Sequence, residues 1–139
     1  MARTRTARRS RGAAAFTEKT RIPFTRRAAA LYAQKTLAAL GRKDCRINIL
    51  FVGDPAMRRL NGRFKHRKGP TDVLAFDTGD IAISVDTARK NAKRFGNTLA
   101  VELRLYIIHG ILHLCGYDDT SAPAAKEMRR METSIMGRL

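Results

Sequence analysis

The segment LAVELRLYIIHGILHLCGYDD, residues 99–119, decides the fold class. From Leu99 to Leu114 nearly every position is apolar. A helix with no polar side must be covered on most of its faces. The segment therefore reads as a central helix from about Thr98 to Cys115, with Gly116 as its stop.

His109 and His113 lie one helical turn apart inside this helix, so their rings stand on one face. Two stacked imidazoles in a core need partners for four ring nitrogens. A divalent ion takes one nitrogen from each ring, and the i, i+4 spacing brings both to a single ion. Core histidines bonded to protein groups are the other reading, and spacing alone leaves both open. Gly110 costs about 1 kcal/mol relative to Ala in a helix interior, so something is expected to approach the backbone there. Beyond Gly116 the chain turns back through Tyr117, Asp118 and Asp119. Asp119, six residues after His113, can reach the same ion. Two histidines and a carboxylate, with positions left for water, form the ligand set of a hydrolytic centre. Asp118 reads as a turn residue and Cys115 as packing. Gly110 stands where an HExxH zinc peptidase carries its glutamate, which argues against that mechanism.

Working outward, Ser121 to Met136 reads as a closing helix with Met128, Met131 and Ile135 on one side. Upstream, Asp86 is the expected cap of a helix that runs through Arg94 and ends at Gly96. TDVLAF and DIAIS, 71–76 and 80–84, read as strands joined by a tight turn. RINILFVG, 46–53, alternates Ile47, Ile49 and Phe51 and reads as another strand. Asp54-Pro55 is the expected N-cap and first position of a short helix through Leu60. A helix after Pro23 shows Phe24, Ala28, Leu31, Tyr32, Leu37 and Leu40 as its apolar face and stops at Gly41. A weak strand is expected near 13–17, and the arginine-rich tail 1–12 is expected to be disordered. The sum is an α+β fold: one domain over 13–139, a small mixed sheet covered by helices, and the histidine helix buried at its centre.

At 139 residues and 44% hydrophobic content, one core is affordable without disulfides. The two cysteines, Cys45 and Cys115, suit a reducing compartment, and the expected location is the cytoplasm. No apolar run reaches the length of a membrane span, and the N-terminus lacks the charged-then-apolar pattern of a secretory signal. A net charge of +16 exceeds what solubility requires and attracts polyanions. Nucleic acid is the leading partner class, with acidic membrane surfaces behind it. Arg58, Arg59, Arg63, Lys65, Arg67 and Lys68 form a basic stretch with no acid among them. It reads as a phosphate-binding surface, with a solvated helix face as the other reading for Arg58, Arg59 and Arg63.

These residues resemble a family. HGILHLCGYDD is similar to the H-G-x-L-H-L-x-G-Y-D-H signature of the YbeY-type endoribonucleases and departs only at its last residue. LNGRFKHRKGPTDVLAF, 60–76, resembles the family's second block. GDIAIS resembles the strand that follows, and EMRRMETSIM the closing helix. The resemblance implies a divalent metal on His109, His113 and Asp119, with zinc first. It also implies cleavage of single-stranded RNA in rRNA maturation, and ribosomal subunits or ribosomal proteins as partners. His109, His113 and Lys65 become the catalytic residues. Asp119 stands where the family usually has His, and hardens the ligand set toward manganese, nickel or magnesium. Lys65 stands where the family has Arg, keeping the charge but losing the bidentate fork. Thr71 and Asp72 read as loop-shaping residues. The alternative is an RNA- or ribosome-binding factor whose hydrolysis is weak or lost.

Overall fold

The structure is a computed structural model that describes residues 21–63 and 72–139. In chain order the elements are α1 (Arg26–Ala39), β1 (Asn48–Val52), α2 (Asp54–Arg63), β2 (Val73–Ala75), β3 (Asp80–Ser84), α3 (Val85–Phe95), α4 (Leu99–Leu114) and α5 (Ala122–Met136). The tail 1–12, the expected strand at 13–17 and residues 64–71 lie outside the described residues. No helix among the described residues is long and apolar enough to cross a membrane.

The sheet is mixed, in the order β1-β3-β2. β3 runs parallel to β1, with Ile49 opposite Ile81, and antiparallel to β2, with Leu74 opposite Ala82. Alternation along these strands gives the sheet two apolar faces. Phe51, Ile81 and Ile83 meet α4 and α1, while Val52, Leu74 and Ala82 meet Ala56 and Met57 of α2. A helix thus covers each face, and the α+β class expected from the sequence is what the chain forms.

α4 is covered twice. Leu103, Ile107 and Ile111 face the sheet, α1 and α3, and Ile108 and Leu112 face Met128 and Ile135 of α5. That double contact is why α4 carries almost no polar residue. Each such fully buried Leu or Ile contributes about 2 kcal/mol by leaving water. Gly110 answers to the sheet. A Cβ built there would lie 2.7 Å from Ile81 Cγ2 and 3.3 Å from Val73 Cγ1.

Three local expectations are corrected. Asp54 is the first residue of α2, not its cap, and its carboxylate bonds across to the start of α3. The Ser84 hydroxyl donates to Asp54 Oδ1 at 2.7 Å and the Thr87 hydroxyl at 3.1 Å, which hold the Asp54 carboxyl below its usual range. In α3 the cap is Ser84, whose oxygen accepts from the Thr87 amide. Asp86 instead accepts the Asp54 backbone N–H at 2.8 Å, so the two helix starts are laced together. Finally, Leu31 is exposed, because α1 buries the stripe Ala29, Ala33, Thr36 and Leu37. The small alanines let α1 lie close to the core, and Leu31 falls outside that stripe.

Candidate metal centre

α4 is capped at its start by Thr98, whose side chain accepts the Val101 amide at 3.2 Å, and at its end by Cys115. Its packing on two sides fixes its rotation and sets His109 and His113 on the strip between sheet and α5. The rings meet edge to face, with centroids 4.6 Å apart. Their Nε2 atoms approach to 3.1 Å. At that separation one ring can donate to the other, and both nitrogens are close enough to share one ion.

The chain then reverses. Gly116 takes φ +98°, a left-handed conformation that side chains resist, and the Tyr117 amide returns to the Leu112 carbonyl at 3.0 Å. Asp118 accepts the amide and hydroxyl of Thr120, which is the turn role read from the sequence. Those bonds hold the Asp118 carboxyl below its usual range. Ser121 accepts the Ala124 amide and starts α5. Between these fixed points Asp119 is brought back to the histidines. One ligand atom each from His109, His113 and Asp119 lie within 4.8 Å of one another. This group can hold a metal ion. Two imidazole nitrogens facing each other beside an exposed carboxylate suit a divalent cation, with one side open to water.

Sequence reasoning missed Glu132. On α5 it follows the buried Met128 by four residues and precedes the buried Ile135 by three, so it shares their inward face. Its Oε2 accepts from His109 Nδ1. The bond fixes the tautomer, leaving the Nε2 lone pair on the side that faces His113 Nε2. Burial disfavours a charged His109, but the bond and charge of Glu132, aided by Asp119 and Asp72, outweigh it. His109 therefore lies above the ordinary histidine value. Among the described residues His113 has no carboxylate bonded to it, and burial together with the His109 charge pushes it down. An acid on the apolar stripe of a closing helix was the available signal for Glu132.

Asp72, read as loop-shaping, also borders this centre. Burial raises its carboxyl above the usual range despite backbone bonds and the pull of His109 and Tyr106. Its Oδ1 is buried and has no hydrogen-bond partner among the described residues. Tyr106, one turn before His109, accepts the Asn91 amide at 2.7 Å and is pushed up by burial. Cys115 caps α4 and packs on the core, consistent with the packing role. Arg58 and Arg59 are exposed on α2, which Arg63 ends. Lys65, Arg67 and Lys68 lie outside the described residues, so the structure does not place the basic stretch as a whole.

A family model described as Endoribonuclease YbeY matches residues 15–139. The chain belongs to the YbeY family. It is 40% identical over 109 residues to the Endoribonuclease YbeY of an Anaeromyxobacter species, covering 71% of this chain and 57% of that protein. Against the YbeY of Aquifex aeolicus the identity is 33% over 119 residues, covering 78% and 79%. The chain thus spans little more than half the length of the Anaeromyxobacter relative but most of the Aquifex one. Its fold is similar to the solution structure of TM1509 from Thermotoga maritima. The TM-score is 0.60 at 29% identity, covering 79% of this chain and 77% of that one.

Proposed function

We propose that this chain is a metal-dependent endoribonuclease that cuts single-stranded RNA in rRNA maturation and ribosome quality control. The observation that carries the reading is the convergence of His109 Nε2, His113 Nε2 and the Asp119 carboxylate in a chain of the YbeY family. In this reading the catalytic domain is 13–139, the tail 1–12 is a basic extension, and the site of action is the cytoplasm. Ribosomal subunits or ribosomal proteins are the partners.

His109, His113 and Asp119 would hold one divalent ion, zinc first, with manganese, nickel or magnesium admitted by the hard Asp119 oxygen. When bound, such an ion supplies Lewis acidity and a water of lowered pKa. The chain's own residues do the rest. Glu132 holds the proton on His109 Nδ1 and keeps Nε2 aimed at the centre. Lys65 stands at the basic position of the family's second block and would hold the phosphate. It offsets developing negative charge there but lacks the fork of an arginine. Arg58, Arg59, Arg63, Arg67 and Lys68 hold the flanking backbone, setting register without reading sequence.

The test is metal analysis of protein purified without chelator, together with cleavage of a single-stranded RNA by wild type and His113→Ala. We expect about one equivalent of metal in wild type, loss of it in the variant, and loss of cleavage with it. Equal cleavage by both proteins would overturn the reading.

A further inference from the structure

Far from the metal centre, one aromatic ring stands in solvent where the packing gives it nothing to cover. Phe95, the last residue of α3, is 62% exposed. It continues the stripe of Val85, Ala88 and Ala92, which is buried, but lies one step past the part of α3 that meets the core. The ring is not on a loose end. Gly96 caps α3 in the left-handed conformation, and the Asn97 amide N–H returns to the Ala92 carbonyl at 2.8 Å. The Asn97 side chain donates to Glu102, a carboxylate only 4% exposed, at 3.0 Å. A buried acid thus pins the turn that presents the ring.

The surroundings of Phe95 are cationic. The Arg94 guanidinium lies over its ring, 5.3 Å from the centroid. Arg89, Lys90, Lys93 and Arg94 are all exposed on α3. Asp86 and Asp54 pair with Arg89 and Lys90, but among the described residues no carboxylate pairs with Lys93 or Arg94. We propose that Phe95 and the end of α3 form a stacking platform for single-stranded RNA. An unpaired base lies on the ring while Lys93 and Arg94 hold the flanking phosphates. This pairing of an exposed aromatic with backbone-binding cations is how single strands are held without sequence readout.

The same features disfavour a lipid surface. A membrane-lying helix needs a broad free apolar face, and that of α3 is spent on the core. Phe95 lies just before the start of α4, and from Leu99 to His109 that helix rises about 15 Å at 1.5 Å per residue. The platform therefore holds RNA several nucleotides from the reacting bond. The proposal rests on the reading of RNA as substrate.

The chain contains no tryptophan, so Phe95→Trp introduces a single fluorescent reporter at the platform. The experiment titrates wild type, Phe95→Ala, Phe95→Trp and Lys93→Gln with a 12-nucleotide single-stranded oligoadenylate. Controls are an abasic strand of equal length and phosphatidylglycerol vesicles. Phe95→Ala should weaken binding roughly tenfold, while Phe95→Trp binds like wild type and its indole is quenched by oligoadenylate but not by the abasic strand. Lys93→Gln should reduce the slope of log affinity against log salt by about 0.7. Unchanged binding by Phe95→Ala, or an indole that does not respond to bases, overturns the platform and leaves the nuclease reading standing. An indole that responds to vesicles and not to oligoadenylate overturns it in favour of lipid. Failure of wild type to bind any RNA removes both readings together.

Discussion

Glu132 shows how much of the candidate centre depends on one residue outside the ligand set. Its carboxylate accepts from His109 Nδ1, and His109 lies above the ordinary histidine value because this bond and charge outweigh burial. An ion at the centre needs His109 Nε2 unprotonated, so protons compete with metal as pH falls through the His109 value. Removing the carboxylate has two effects. Glu132→Gln should bind metal 10- to 100-fold more weakly at neutral pH, on the order seen when such orienting partners are lost. It should also move the acid loss of metal to lower pH, since His109 no longer holds its proton so firmly. Metal titrations of both proteins between pH 5 and 8 check this. Equal affinities across that range would show that Glu132 does not tune the centre. The two histidines were legible from their spacing because i, i+4 is a local relation. Glu132 was not, because its pairing depends on α5 folding back over α4, and only the stripe Met128–Glu132–Ile135 hinted at it.

At the scale of elements, the contact that places the histidines is α4 on the sheet, and Gly110 sets its distance. A Cβ there would come 2.7 Å from Ile81 Cγ2 and 3.2 Å from Cδ1 of the same residue. Ile81 is fully buried in β3, packed among core residues. Overpacking of this kind costs about 1–3 kcal/mol, against a gain of about 1 kcal/mol from helix propensity. Gly110→Ala should therefore lower the melting temperature by a few degrees and weaken metal binding as α4 shifts. Gly62, in α2, meets nothing within 4 Å and has ordinary helical backbone. Gly62→Ala should be neutral or raise stability by up to about 1 kcal/mol. Thermal melts of the pair decide the matter, and a stabilised Gly110→Ala would contradict the close-packing account. The close approach at Gly110 was legible because a glycine in a buried helix costs propensity. The exchange of roles among Asp54, Ser84 and Asp86 was not. Every one of these side chains can cap a helix, and the choice is made by two helix starts lying side by side, which a linear pattern does not contain.

For the whole molecule, the same division between local and distant relations holds. The apolar run of α4, the strand alternation of β1 and the glycine stops were readable because each is a periodicity within one segment. The exposure of Leu31 depended on which face of α1 met the core. The candidate centre joins three parts of the chain: the second half of α4, the reversal after Gly116, and α5 through Glu132. An ion held there would cross-link these parts in the folded state alone. Metal at about 100 times its dissociation constant should then stabilise the fold by about 2.7 kcal/mol. For a chain of this size that is a rise of roughly 10 °C in melting temperature, reversed by chelator and absent in His113→Ala. Asp119 decides which ions produce the rise. Its carboxylate oxygen is a harder donor than imidazole nitrogen, so manganese and zinc should differ less here than at a three-histidine centre. Asp119→His should restore that difference, enlarging the zinc-induced rise and shrinking the manganese one. Melting curves of wild type and Asp119→His with each metal test it directly. A variant with the same metal preference as wild type would mean that Asp119 is not a ligand.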